Sequence, residues 1–214
     1  MTTPPTCAKA LVQMLENFGV RHVFGIPGAK IDSVFEAVSE SEKIELVLCR
    51  HEQNAAFMAA AMGRMTGRAG VVLATSGPGV ANLATGLATA TSEGDPVLAI
   101  GGEVPLEERV KSTHQSLDSV ALLKTVTKYA SEITTPQQLG ELLGEALRAA
   151  ESGRPGAAFL SLPRDVGLAP FEGNPDQSFG RPIVAGPGAD SEIRRAAEIL
   201  NASRKPTLLL DRKS

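Results

Sequence analysis

From Thr6 to Phe18 apolar side chains fall at Ala10, Leu11, Met14, Leu15 and Phe18, the three-to-four spacing that lines one side of a helix. Thr6 offers a hydroxyl to the first turn and Gly19 a stop. The run VRHVFGIPG follows, β-branched and aromatic at first, then broken by Gly25, Pro27 and Gly28, before a helical pattern from Ile31 to Val38. That is strand, tight turn, helix. The cycle returns in IELVLC before RHEQNAAFMAAAMGRMTG, in GVVLAT before SGPG and NLATGLATATS, and in DPVLAIGG. It returns again in TVTKYASEI before PQQLGELLGEALRAAES, and a last strand is expected at AAFLSLP. Short apolar strands alternating with helices predict an α/β fold, a parallel sheet with helices on both faces.

After Pro163 the pattern stops, and the Pro- and Gly-rich run RDVGLAPFEGNPDQSFGRPIVAGPGAD reads as a linker. Beyond it SEIRRAAEILNAS is amphipathic, with Ser191 as its expected N-cap, and KPTLLLD reads as a buried strand. The expected organisation is a domain over residues 1–168, a linker over 169–189 and the start of a second α/β domain over 190–214. One helix and one strand cannot cover both faces of a new sheet, so the tail is expected to be the cut end of something larger rather than a unit docked on the first domain.

Composition narrows the function classes. Aromatics at 4%, no Trp, 21 Gly and 14 Pro describe a core of small aliphatics crossed by tight turns. The net charge of -3, with 21 basic and 24 acidic residues mixed along the chain, gives no basic field for nucleic acid or an anionic membrane. The start MTTPPTCAKALVQML has no secretory pattern and no stretch is long enough to span a bilayer, so a cytoplasmic protein is expected. Cys7 and Cys49 have neither metal-site spacing nor a disulfide pattern and read as packed thiols; no metal-ligand set is visible.

In open α/β sheets ligands sit outside the carboxyl ends of the strands. Four such junctions carry unusual residues: GIPG at 25–28, RHEQ at 50–53, SGPG at 76–79 and GGE at 101–103. They are expected along one cleft edge. A glycine turn opening a helix offers backbone N–H groups to an anion, but SGPGVAN lacks both GK[ST] and GxGxxG, and alone it means only close backbone approach. Glu52 alone is equally a first-turn carboxylate favoured by the helix dipole, whereas Arg50 and His51 sit unfavourably at that positive end. His114 and Gln115 lie in a polar stretch that alone reads as a solvated loop.

Together the motifs resemble the pyrimidine-binding domain of thiamine-diphosphate-dependent enzymes of the acetohydroxyacid synthase and pyruvate oxidase group. The resemblance runs through GIPG, RHEQNAAFMAAAMGRMTGRAGVVLATSGPGVANLATGLATA, GDPVLAIGG and THQSLD to TKYA, and AAEILNASRKPTLLLD resembles the opening of that group's central domain. Within the group THQSLD, with His114 where the FAD-containing branch usually has Phe, is similar to catabolic acetolactate synthases, which condense two pyruvates to acetolactate with loss of CO2. FAD is then not required.

The resemblance implies roles residue by residue. Glu52 matches the glutamate that exchanges a proton with the cofactor's pyrimidine ring, acid–base work one step removed from the substrate. Ile26, Pro27, Gly28, Pro78 and Asn82 match positions that hold the ring. Gln115 matches a catalytic glutamine near the reacting carbonyl, and His114 borders the same space. In the family the diphosphate and its Mg²⁺ are held by a separate domain with a GDG…N motif, which this sequence lacks. The resemblance thus implies a diphosphate-binding partner domain, a site shared between subunits of a homodimer or homotetramer, pyruvate as substrate, and no activity of this chain by itself. Two alternatives stay open: a small subunit of a two-chain 2-oxoacid decarboxylase, and a non-catalytic module with the same fold.

Overall fold

A computed structural model describes residues 4–111, 113–176 and 186–207. The elements come in the order α1 (Cys7–Asn17), β1 (His22–Gly25), α2 (Asp32–Ser39), β2 (Glu45–Leu48), α3 (Glu52–Thr66), β3 (Gly70–Ala74), α4 (Pro78–Glu93) and β4 (Val97–Glu103). A 3₁₀ turn at Leu106–Lys111 then leads to α5 (Ser119–Lys124), β5 (Tyr129–Glu132), α6 (Leu139–Glu151), β6 (Ala157–Pro163), α7 (Arg164–Leu168) and α8 (Asp190–Ala202). The six strands form one sheet in the order β2-β1-β3-β4-β6-β5, and every neighbouring pair is parallel. The α/β fold expected from the alternation is therefore the fold observed.

The expected caps explain the first helix. Thr6 Oγ1 accepts from the Lys9 N–H at 3.3 Å, and Gly19, at φ 87°, turns the chain into β1 through a backbone shape that favours glycine. Buried strands then divide their side chains between two cores by simple alternation. Val71, Leu73, Leu98, Ile100, Ala158 and Leu160 face the core under α1, α2, α6 and α7, while Val72, Ala74, Val97, Ala99, Ala157 and Phe159 face the core under α3, α4 and α5. Each fully buried Leu or Phe contributes about 1.5–3 kcal/mol, so the inner strands, buried at every residue of β3, β4 and β6, hold the sheet together.

The structure differs from the sequence reading in three places. The run after Pro163 does not leave the body at once: α7 buries Val166, Cys7 donates to the Ala169 carbonyl, Phe171 is buried with its N–H on Pro5, and Gln13 and Asn17 both donate to Asp176. Composition shows that these residues lack a period, but not that α1 offers them partners. The short helix α5 was unread, because six residues carry too little period to register. In the tail, α8 starts at Asp190 without a side-chain cap, so Ser191 sits inside its first turn, and none of its residues is buried. The strand expected at KPTLLLD falls mainly on residues outside those described. Among the described residues no helix is long and apolar enough to cross a membrane.

Candidate functional site

The four junctions singled out in the sequence lie at the carboxyl ends of β1, β2, β3 and β4, with 101–103 closing β4 itself; these strands are neighbours in the sheet, so the ends stand side by side. Strand order reverses between β1 and β3, the crevice where open sheets bind ligands. There Gly28, in the turn after β1, meets Thr75, the residue after β3: a Cβ on Gly28 would lie 2.5 Å from the Thr75 Cβ. Gly25 is equally confined, since its Cβ would lie 2.4 Å from the Leu73 carbonyl oxygen. Close backbone approach is what these two glycines provide.

Glu52 opens α3. The residue before it, His51, is the N-cap, and its Nδ1 accepts from the Gln53 N–H at 3.1 Å. By accepting there the imidazole caps the start of α3, where residue type alone suggests only an unfavourable charge. Glu52 is 9% exposed, with its carboxylate turned inward. Its Oε2 accepts from Asn82 Nδ2 at 2.9 Å, and its Oε1 lies on the side of Gly79, 3.3 Å from where a Cβ would stand. Asn82 and Gly79 both belong to α4, whose turn begins at Gly77 with φ 63°.

α3 reaches α4 because the contact is made of small residues. A Cβ on Gly86 would meet that of Ala56 at 2.5 Å, and Ala55, Ala59 and Ala60 are buried alongside. The outward side of the same helix is also apolar, with Phe57 37%, Met58 41% and Met65 85% exposed. The helix is thus buried on one side only.

Thr75 is the residue that sequence reasoning missed. Its Oγ1 is buried and has no hydrogen-bond partner, and its methyl lies 2.9 Å from where a Gly79 Cβ would be. A hydroxyl at a strand end just ahead of a glycine turn was the available signal, but its place between Gly28 and Gly79 arises across the sheet. Gln115 arrives from the long segment after β4: its Oε1 accepts from Ser76 Oγ at 3.4 Å, and a Cβ on Gly77 would meet its backbone at 2.9 Å.

The structure therefore brings together Gly28, Glu52, Asn82 and Gln115 around Thr75 and the α4 turn. Ile26 and Pro27 lie on the β1 turn with Pro27 exposed, Pro78 is exposed at the first position of α4, and His114 is exposed with no tie to Glu52 or Asn82. Cys7 is buried and Cys49 half-buried: burial pushes Cys7 up to about 12 and raises Cys49 as well. Among the described residues no cluster of His, Cys, Asp and Glu suits a metal ion.

A carboxyl partnered by an amide, an orphaned hydroxyl and glycines that let the turns close on them stand together as a polar-edged slot. Its carboxyl, amide and hydroxyl can exchange hydrogen bonds with a polar-edged ligand.

Comparison with known proteins agrees with this geometry. Residues 5–122 match the family model described as thiamine pyrophosphate enzyme, N-terminal TPP binding domain. The chain is 51% identical to the catabolic acetolactate synthase of Raoultella terrigena, 47% identical to acetolactate synthase of Bacillus subtilis and 36% identical to the acetolactate synthase isozyme 1 large subunit of Escherichia coli. These matches take in 95%, 96% and 96% of this chain but only 36% of each relative, so the chain spans about a third of the length of its relatives. The slot at the carboxyl edge, the four junction motifs and the matched residues 5–122 converge: the chain belongs to the thiamine pyrophosphate enzymes and carries their N-terminal cofactor-binding domain.

Proposed function

We propose that the chain is the pyrimidine-binding part of an acetolactate synthase, acting on pyruvate together with a diphosphate-binding domain that also holds Mg²⁺, in a cytoplasmic homodimer or homotetramer without a need for FAD. The observation that carries the reading is the buried Glu52 carboxylate, held at Oε2 by Asn82 with Oε1 on the Gly79 side of the slot. The names of the most similar relatives support the substrate. The exposed apolar strip Phe57, Met58 and Met65, on the helix that Glu52 opens, supports a partner domain.

Thiamine diphosphate, when bound, supplies a nucleophilic carbon that adds to a 2-oxoacid carbonyl and accepts the electrons left by departing CO2. This chain's part is to hold and time a proton. Asn82 occupies one carboxylate oxygen of Glu52 and fixes the orientation of the group, leaving Oε1 to exchange a proton with a ring nitrogen. Thr75 Oγ1 is a further hydrogen-bonding group beside Glu52, and Gly28 and Gly79 let the two turns close on Thr75. Gln115 borders the same mouth, where its amide is available to a substrate carbonyl.

The test is a chimera in which this chain replaces the matching residues of the Raoultella terrigena enzyme. It should bind thiamine diphosphate and form acetolactate from pyruvate. Glu52→Gln should lower that rate by about 10²–10⁴-fold, the range of a lost acid–base group, while cofactor affinity changes only a few-fold. Cofactor binding without pyruvate consumption would overturn the substrate. An unaltered rate in Glu52→Gln would make the module non-catalytic.

A further inference from the structure

Gln115 needs to be held where it is. Between Val104 and Ser119, which are both buried, no described residue of the segment is fully buried; Leu106 packs on the core at its start, and past it apolar burial does little to set the course. Gln115 also has φ 67°, a left-handed backbone that a non-glycine residue adopts at a cost and keeps only where its surroundings over-determine it.

The ties are polar. Glu103, at the end of β4, accepts from the Val104 N–H at 2.9 Å and from Ser119 Oγ at 2.8 Å, which joins the two ends of the segment. In its middle Arg109 grips Glu132, the last residue of β5, through a fork: Nη1 donates to Oε1 at 2.7 Å and Nη2 to Oε2. Ser161 of β6 donates to the same carboxylate at 3.2 Å. A bidentate guanidinium–carboxylate pair fixes orientation as well as distance. Beside the segment lies a cavity of about 480 Å³, lined by Glu103, Arg109, Ser116, Asp118 and Glu132. It sits beside the ends of β4, β6 and β5, where strand order reverses a second time, and it is room into which an unfastened segment would settle.

We infer that Arg109 and Glu132 are a positioning pair for Gln115, fastening its segment to the end of β5 so that Gln115 stays against Gly77 at the mouth of the slot. The inference rests on the proposed function only for its activity readout. The pair orients Gln115 and touches neither Glu52 nor Asn82.

Two variants test it, Glu132→Gln, which keeps the shape and removes the charge, and Arg109→Lys, which keeps the charge and removes the fork. In this chain both should displace the backbone amide resonances of Gly77 and Gln115 and leave those of Glu52 and Asn82 in place. In the chimera both should raise the KM for pyruvate about tenfold, as small misplacements of a positioned group do, with cofactor affinity unchanged. The exchange Arg109→Glu with Glu132→Arg should recover most of that loss. Unmoved Gly77 and Gln115 resonances in both variants would overturn the inference, even if the chimera proved inactive and the functional reading had failed by itself. A KM rise accompanied by equal loss of cofactor affinity would also overturn it, since the damage would then be general.

Discussion

On one face of the sheet the space beneath α1, α2 and α6 is filled by Leu11, Met14, Leu15, Phe35 and Leu143; on the other, α3 meets α4 through Ala56 and Gly86, and meets the starts of β3 and β4 through Ala59 and Gly63. The first face is ordinary packing of large side chains, where each helix buries an amphipathic stripe. The second is built for closeness. A Cβ on Gly63 would lie 2.1 Å from the Pro96 carbonyl and one on Gly70 would lie 2.0 Å from that of Ala59, so backbone stands against backbone. The difference separates stability from function: large residues carry the fold on one side, and small ones on the other let two helix starts come close enough for Asn82 to reach Glu52.

Substitutions on the two faces should therefore fail in different ways. Leu15→Ala, in the large-residue core, should cost about 2–5 kcal/mol in thermal or denaturant unfolding of the chain, and its cofactor affinity in the folded chimera should stay near that of the parent. Gly86→Ala should cost less, about 1–3 kcal/mol from overpacking. Yet it should weaken thiamine diphosphate binding, because α3 must move away from α4 and Glu52 from Asn82. Equal effects of both on binding would erase the distinction between the faces. The smallest effect is chemical: with a thiol-reactive dye at neutral pH, Cys7 in the large-residue core should stay unmodified and half-buried Cys49, beside the small-residue core, should react slowly, both reacting fast after unfolding. Equal native reactivity of the two thiols would contradict the tighter seal of the first face.

What was legible in advance follows from how local each signal is. The cap at Thr6, the stop at Gly19 and the alternation of buried strands with helices are written in neighbouring residues, and the fold class came from them. Glu52 stands out in the sequence only with SGPGVAN and GIPG beside it, since a first-turn carboxylate alone means little. Thr75, the partner of the Arg109 fork and the docking of residues 169–176 on α1 depend on which distant segment arrives next to them. No period or composition encodes that. His51 is a hydrogen-bonded structural side chain, as its residue type suggests, but that it caps α3 depends on the bond its ring makes to Gln53 N–H.

The wholly parallel sheet has a consequence for time as well as for space. No two paired strands here are joined by a hairpin; each parallel neighbour is reached by a crossover through a helix. Glu52 and Asn82 lie 30 residues apart and Ser76 and Gln115 lie 39 apart, so neither contact can form until the elements between them have closed their loops. The slot exists only once the elements from α3 to the segment after β4 have packed together. A half-folded chain has its helices but no site, which makes occupancy of the slot by a ligand a reporter of finished folding.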